Sequence, residues 1–195
     1  MKNTLLILII LISFELYSQE IIKFSNAEFE FSLTKNCGKN ECEITKIEVL
    51  KNGVLKQTIK PNKNYFSKSF PKDQLLAIED MNFDGRTDFR LMEFLPAGPN
   101  VPFLFWIYNP TNELFEENKY YGEITSPEFD YEKKQINSTW RNGCCEHGRD
   151  IYELENGIPK LIERFVIGHN SEDKEYYEHW KVKNGELKLI EKTVE

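Results

Sequence analysis

Residues 152–163 read YELENGIPKLIE, and residues 180–191 read WKVKNGELKLIE. Each stretch has an Asn-Gly pair between two short runs in which apolar and polar residues alternate. Asn-Gly favours a two-residue hairpin turn, because both residues tolerate the positive φ angles of a type I′ turn. The pairs start at Asn156 and Asn184, which are 28 residues apart. The two stretches therefore predict successive hairpins of one antiparallel meander.

The side-chain pattern also predicts the register of both hairpins. A two-residue loop at residues 184–185 sets Val182 opposite Leu187, and the same loop at residues 156–157 sets Tyr152 opposite Leu161. Apolar side chains then share one face of each hairpin, as a half-buried sheet requires.

The rest of the chain has the same character, since no long window keeps a helical period. Residues 101–108 are apolar at both alternating positions, which predicts a strand covered on both faces. A third Asn-Gly pair begins at Asn52, where a three-residue loop pairing Ile47 with Ile59 fits best. We predict an all-β fold, an antiparallel meander that forms a β-sandwich, with a small propeller-like arrangement as the alternative.

The N-terminal segment has the layout of a secretory signal peptide. Lys2 precedes an apolar run from Leu5 to Ile12, and small polar residues follow at Ser13 and Ser18. The run is far shorter than the roughly 20 apolar residues that span a bilayer. We expect a cleaved signal peptide at residues 1–18, a single all-β domain at residues 19–195, a periplasmic or secreted location, and no membrane span.

The formal net charge is −7 at neutral pH. Nucleic-acid binding normally needs a clustered basic face, whereas the lysines of this chain are interleaved with glutamates. The sequence therefore argues against a nucleic-acid partner. An acidic surface favours encounter with cationic partners through long-range attraction.

Residues 80–88, DMNFDGRTD, form the most specific motif of the chain. Alternating oxygen donors can converge on one hard cation, and Gly85 supplies the sharp turn that wraps the backbone around it. The predicted calcium ligands are the side chains of Asp80, Asn82, Asp84 and Asp88 and the carbonyl of Arg86. Leu91 stands where an EF-hand has its bidentate glutamate, and the flanking residues look like strands. We therefore predict a strand–calcium loop–strand unit with a structural role.

Motifs that carry catalysis are missing from the sequence. There is no Gly-x-Ser-x-Gly elbow, no His-Glu-x-x-His helix and no phosphate-binding glycine loop. Carboxylates are abundant, but no spacing singles out a pair suited to glycoside hydrolysis. The sequence predicts a binding protein and not an enzyme.

Four cysteines lie in two turns, and export makes disulfides the expected state. Pairing Cys37 with Cys42 would leave Cys144 and Cys145 either free or in a strained bond between adjacent residues. We therefore predict that the two turns are joined to each other. A zinc cluster with His147 is the alternative, although the spacing is not that of a standard zinc finger.

These features together resemble the calcium-loop periplasmic immunity proteins, which inhibit lysozyme-like effectors. The resemblance is carried by the signal peptide, the Asp-x-Asn-x-Asp-Gly-x-x-Asp loop at residues 80–88, the strand ending in residues 106–108 (WIY), residues 129–131 (FDY) and the hairpins after them. It covers roughly residues 75 to 190. FG-GAP-type repeats of adhesins share the calcium loop. The resemblance implies a protein partner, a lysozyme-like cell-wall hydrolase.

The inhibitory Ser-Gly-x-x-Tyr loop of that family is absent. The closest physical substitute is the turn at Pro96, Ala97, Gly98, Pro99 and Asn100, because two prolines stiffen it and a stiff loop loses little entropy on binding. We therefore expect partner contacts there. The alternative function is a cell-surface or adhesion-type module that binds glycan or protein.

Overall fold

The computed structural model describes residues 18–195, which fold into fifteen β-strands and two short 3-10 helices, with no α-helix in that range. Residues 1–17 of the predicted signal peptide lie outside the described residues. Within the described part of the chain, no helix is long and apolar enough to cross a membrane.

The first sheet is built by five strands from the N-terminal part of the described chain. Its strands are β1 (Ser18–Ser25), β2 (Phe29–Cys37), β3 (Glu41–Lys51), β4 (Val54–Ile59) and β5 (Phe66–Ser67). The first four strands are antiparallel and pair in sequence order. The short β5 pairs with the N-terminal end of β3, at Glu41 and Cys42.

The middle and third sheets repeat this up-and-down order. The middle sheet contains β6 (Leu76–Glu79), β7 (Asp88–Met92), β8 (Phe103–Asn109) and β9 (Leu114–Glu117). The third sheet contains β10 (Pro127–Asp130), β11 (Gln135–Asn142), β12 (Glu146–Glu155), β13 (Ile158–His169), β14 (Glu175–Lys183) and β15 (Glu186–Val194). The 3-10 helices span Lys72–Gln74 and Tyr121–Glu123.

The middle sheet is covered on both faces, as the double alternation in residues 101–108 predicts. Trp106 and Tyr108 of β8 point into a core shared with the first sheet, where Phe31 is fully buried. Phe105 and Ile107 of the same strand point into a second core shared with the third sheet. The all-β antiparallel meander and its sandwich arrangement are confirmed.

The predicted registers of the two C-terminal hairpins are confirmed. Val182 pairs with Leu187, and Tyr152 pairs with Leu161. Hairpin register is set by the turn and the immediate neighbours, so the local sequence was sufficient to predict it.

The hairpin at residues 52–53 differs from its prediction in one detail. Ile47 pairs with Ile59 as expected, but the loop has two residues, since Lys51 pairs directly with Val54. The pairing shifts between Val49 and Leu50, so Lys56 of β4 is left unpaired in a β-bulge. The sequence prediction had placed this extra residue in the loop. The turn itself has positive φ angles at both residues, 52° and 74°.

The predicted disulfide connection between the two cysteine turns is wrong. Cys37 and Cys42 face each other across the β2–β3 hairpin with Cα atoms 4.0 Å apart, and they form one disulfide. Cys144 and Cys145 form the other within the turn between β11 and β12. The sequence argument failed because the first pair is aligned by the register of its own hairpin, while the second pair belongs to the third sheet.

Candidate functional sites at the two ends of strand β7

The predicted calcium loop connects β6 to β7, as expected for a strand–loop–strand unit. Glu79 and Asp88 are the last paired residues before the loop opens. The loop then closes on itself through positive φ angles at Phe83 (61°) and Gly85 (81°). Gly85 is required at the second of these positions because side chains strain that conformation.

Side-chain oxygens of the loop point inward and accept hydrogen bonds from its own backbone. Asp80 accepts from the N–H of Asp84 at 3.1 Å and from that of Gly85 at 2.8 Å. Asn82 Oδ1 also accepts from the N–H of Asp84 at 3.1 Å, and Asp84 Oδ1 accepts from the N–H of Arg86 at 2.8 Å. The motif therefore folds as a compact turn in which its alternating oxygen-bearing side chains cap the backbone of the loop itself.

Asp88 anchors this loop to the core of the protein. Its side chain is fully buried, and its carboxylate accepts hydrogen bonds from the backbone N–H of Met81 at 2.9 Å and from that of Tyr108 at 2.8 Å. Burial, together with the nearby carboxylates of Asp84 and Asp80, raises the pKa of Asp88 to about 7, against the lowering effect of those two hydrogen bonds. The loop thus concentrates negative charge beside a buried carboxyl group.

Two aromatic contacts fix the loop against the third sheet. Phe83 packs edge-on against Phe129 of β10, with ring centroids 6.1 Å apart. The hydroxyl of Tyr121, which is buried, donates to the carbonyl of Met81 at 3.3 Å. Burial is also the main reason that the pKa of Tyr121 lies above its ordinary value.

The donor chemistry of the loop fits a hard cation. In residues 18–195, no three His, Cys, Asp or Glu side chains converge closely enough to hold a metal ion by themselves. Asp80, Asp84 and Asp88 are therefore not gathered around one point in this structure. Their oxygens, with those of Asn82 and the Arg86 carbonyl, are nevertheless the type of ligand that calcium prefers. The charged neighbours that raise the pKa of Asp88 are both carboxylates. A bound cation would relieve the repulsion among these groups.

The loop that follows β7 is held by hydrogen bonds to the third sheet. The side-chain amide of Asn100 donates to the carbonyl of Arg141 at 2.8 Å, and its oxygen accepts from the N–H of Arg141 at 2.8 Å. Ser126 adds a second attachment, because its hydroxyl donates to the carbonyl of Pro99 and accepts from the N–H of Val101 at 3.0 Å. This β7–β8 loop, residues 96–100, is therefore fastened to the third sheet at its C-terminal half.

The tip of the β7–β8 loop projects into solvent. Ala97, Gly98 and Pro99 are exposed, whereas Pro96 and Asn100 are half-buried. The preceding Leu95 is also exposed, at 56% of its surface. An exposed, partly apolar tip on a fixed base has the properties of a partner-binding loop.

A shallow depression of about 660 Å³ lies between this tip and the β11–β12 turn. Pro99 forms one wall, and Cys144, Cys145, His147 and His169 contribute to the others. Sequence reasoning missed that the predicted partner loop and one cysteine turn adjoin. The side chain of Arg141 links them, since it donates to the carbonyls of Gly143 at 3.0 Å and Cys144 at 2.8 Å.

Comparison with known proteins adds evidence on the fold alone. No protein-family model matches the chain, and no curated protein matches it in sequence. The fold is similar to that of a Xanthomonas type IV secretion system related protein, with a TM-score of 0.65, 18% sequence identity and coverage of 88% of this chain and 93% of that one. The resemblance to lysozyme inhibitors stays a prediction.

Proposed function

We propose that this protein is exported, binds calcium in the β6–β7 loop, and inhibits a lysozyme-like cell-wall hydrolase through the end of the molecule that carries the β7–β8 loop. The proposed activity is binding and occlusion, without a catalysed reaction. The cation has a structural role, and the partner surface lies at the opposite end of β7.

The observation that supports this proposal most strongly is the attachment of the β7–β8 loop. Asn100 makes two hydrogen bonds with the backbone of Arg141, and Ser126 holds the neighbouring backbone on both sides. A loop that is already fixed loses little conformational entropy when it enters a cleft, so more of its contact energy appears as affinity. Proteinaceous inhibitors of hydrolases are typically preorganised in this way.

Calcium would be held by the side chains of Asp80, Asn82, Asp84 and Asp88 and by the carbonyl of Arg86. Its positive charge would offset the mutual repulsion of three carboxylates. Asp88 also accepts a hydrogen bond from the N–H of Tyr108 in β8. The loop is therefore bonded directly to the middle sheet. The proposed cation therefore stabilises the end of the middle sheet that lies opposite the β7–β8 loop.

The net charge of −7 supports the choice of a cationic partner. Complementary charge accelerates encounter more than it strengthens the final complex, and salt screens it. Association with the hydrolase should therefore slow at high ionic strength, while dissociation should change less. The fold similarity to a type IV secretion system related protein is consistent with an exported protein.

The proposal is tested by measuring whether the purified protein binds and inhibits members of a panel of peptidoglycan hydrolases. Replacing Pro99 and Asn100 together with glycine should weaken binding without unfolding the domain, because the loop loses its preorganisation. Asn112→Ala is a control for the loss of an exposed asparagine elsewhere, since Asn112 accepts a hydrogen bond from the N–H of Leu114 in the β8–β9 turn. Absence of binding to every hydrolase by a folded, calcium-responsive protein would contradict the proposal.

A further inference from the structure

The two disulfides of the protein differ in burial and in how much chain they constrain. Cys37–Cys42 links two strands across the β2–β3 hairpin, and Cys42 lies in the core at 2% exposure. Cys144–Cys145 links adjacent residues, and both of them are exposed. A disulfide stabilises a fold mainly by restricting the unfolded chain, and the effect grows with the number of residues that it encloses. The second disulfide therefore contributes little to stability and lies open to solvent.

The turn that carries the second disulfide is held in place by hydrogen bonds that do not involve sulfur. Arg141 of β11 donates from Nε to the carbonyl of Gly143 at 3.0 Å and from Nη2 to that of Cys144 at 2.8 Å. The carbonyl of Cys145 accepts from the N–H of His169 in β13 at 3.2 Å. The backbone of both cysteines is therefore fixed by neighbouring strands. After reduction, the two thiols would stay side by side, in position to form the disulfide again.

The surroundings of the second disulfide favour the thiolate form of cysteine. The depression of about 660 Å³ that both cysteines line is also lined by three side chains that carry or can gain positive charge, Arg141, His147 and His169. Among the described residues that line it, Asp173 is the single carboxylate. The carboxylate of Glu146 lines a different depression, where it accepts a hydrogen bond from Tyr176. Cations beside a cysteine stabilise its thiolate, which is both the attacking and the leaving species in thiol–disulfide exchange.

Access to the sulfur atoms also separates the two disulfides. Exchange requires an attacking thiolate to reach a sulfur atom, so exposed disulfides are the labile ones and buried structural disulfides resist reduction. Cys144 and Cys145 face an open depression, whereas Cys42 is covered by the core. An external thiol can therefore reach the second disulfide while the first stays closed.

We propose that Cys144–Cys145 is a thiol–disulfide exchange site, that its thiolates are stabilised by Arg141, and that its substrate is a dithiol. One thiolate of the dithiol attacks the sulfur of one cysteine, the S–S bond breaks, and the other cysteine leaves as a thiolate. The second thiol of the donor then attacks the mixed disulfide. The donor becomes a disulfide, and Cys144 and Cys145 gain two electrons from it, with its two protons. A monothiol would not complete the reaction, because the neighbouring cysteine would expel it from the mixed disulfide.

Reduction would alter the surface beside the β7–β8 loop. The backbone of Arg141 is bonded to Asn100, and its side chain holds the carbonyl of Cys144. Pro99 lines the same depression as the two cysteines. The proposal does not rest on hydrolase inhibition, because the exchange reaction needs only the β11–β12 turn and its neighbours.

The test is a brief treatment of the folded, purified protein with dithiothreitol, followed by alkylation and mass spectrometry of the cysteine-containing peptides. Cys144 and Cys145 should become labelled at least about tenfold faster than Cys37 and Cys42, because access limits the reaction of the latter pair. Transfer of a reduced, unlabelled sample to oxidised glutathione should restore the Cys144–Cys145 disulfide. Equal or slower labelling of Cys144 and Cys145 would overturn the proposal.

The protein should keep its fold without the second disulfide. The double variant Cys144→Ser, Cys145→Ser should melt within about 2 °C of the wild type, since the turn keeps its hydrogen bonds to the neighbouring strands. The double variant Cys37→Ser, Cys42→Ser is the matched control. It should melt at a clearly lower temperature, because the bond that it removes joins two strands at the core. A loss as large in the first variant as in the control would make Cys144–Cys145 structural and overturn the proposal.

Three further variants test the role of Arg141. Arg141→Gln should be reduced several times more slowly than the wild type, because the cation that stabilises the thiolates is lost. Arg141→Lys keeps the charge but not the pair of hydrogen bonds, so it should recover most of the rate. Arg149→Gln is the control, since Arg149 packs over the ring of Phe165 and does not line the depression. Reduction of Arg141→Gln at the wild-type rate would overturn the role assigned to Arg141.

Discussion

The two loops at the ends of β7 are held in place by different hydrogen bonds. The β6–β7 loop is organised from within, because Asp80, Asn82 and Asp84 accept hydrogen bonds from the backbone of the same loop. The β7–β8 loop is organised from outside, because Asn100 is bonded to Arg141 of the third sheet. The first loop should therefore respond to metal ions and pH, whereas the second should respond to changes at its contact with the third sheet.

The largest effect should follow from removing the buried carboxylate of the first loop. Asp88→Ala leaves the N–H groups of Met81 and Tyr108 without an acceptor, at a cost of about 1–3 kcal/mol each. We expect a loss of about 4 kcal/mol in the free energy of unfolding, measured by urea denaturation in metal-free buffer. Asp80→Ala is the control, and it should cost less because the N–H groups that it frees are exposed. Equal losses in the two variants would show that Asp88 does not anchor the loop.

Removal of calcium should have the next largest effect. At a free calcium concentration about a hundred times the dissociation constant, binding stabilises the folded state by about 2.7 kcal/mol. A chelator should therefore lower the melting temperature of the wild type by about 5–10 °C. Calorimetry of Asp84→Ala provides the comparison, and its melting temperature should hardly change. If the chelator left the melting temperature of the wild type as unchanged as that of Asp84→Ala, the loop would not bind calcium.

The pH dependence of the metal-free protein should be comparable in size and of defined sign. The pKa of Asp88 is raised from 3.8 to about 7 in the folded state, so the folded protein holds a proton that the unfolded chain releases. Its contribution to stability is fully present below about pH 4 and is lost as the pH rises through about 7. The melting temperature of the metal-free protein should fall by about 10 °C across this window, because this difference in pKa corresponds to about 4 kcal/mol.

Two controls isolate the contribution of Asp88 to that fall. Asp88→Asn cannot ionise, so its melting temperature should show a smaller decrease over the same pH window. Saturating calcium should also reduce the decrease in the wild type, because the cation favours the ionised carboxylate. A decrease of the same size in the wild type and in Asp88→Asn would assign it to other groups.

The second loop should show the smallest change in stability. Asn100→Ala removes two solvent-exposed hydrogen bonds, so we expect a loss of less than about 1 kcal/mol in the free energy of unfolding. Its response to calcium should match that of the wild type, as measured by melting with and without chelator. An altered calcium response in Asn100→Ala would mean that the two loops are coupled through β7.

The same contrast explains how much the sequence could predict. The calcium motif and the hairpins at Asn156 and Asn184 are encoded by neighbouring residues, so their place between strands and their registers were predictable. The bond between Asn100 and Arg141 joins residues 41 positions apart, and nothing in the local pattern indicates it. For the same reason no local pattern indicates that the β7–β8 loop adjoins the turn at Cys144.

The position of Trp180 outside both core clusters was missed for a related reason. Trp180 pairs with Leu189 in the C-terminal hairpin, and that pairing alone suggests an apolar side chain of the core. Only the assembled sheet shows that Trp180, Trp140 and Tyr176 lie beyond the part that the middle sheet covers. Pairing is a local property, whereas the burial of a sheet face depends on which other sheet reaches it.

The most direct measurement of the proposed function is a titration of hydrolase activity. A fixed concentration of a cell-wall hydrolase that binds the protein is mixed with increasing amounts of the protein in calcium buffer, and the remaining lytic activity is recorded. We expect a linear fall to near zero at one inhibitor molecule per enzyme molecule, and weaker inhibition by the variant in which Pro99 and Asn100 are replaced with glycine. A hydrolase that is saturated with the bound protein and keeps its full activity would contradict the account and favour an adhesion-type binding module.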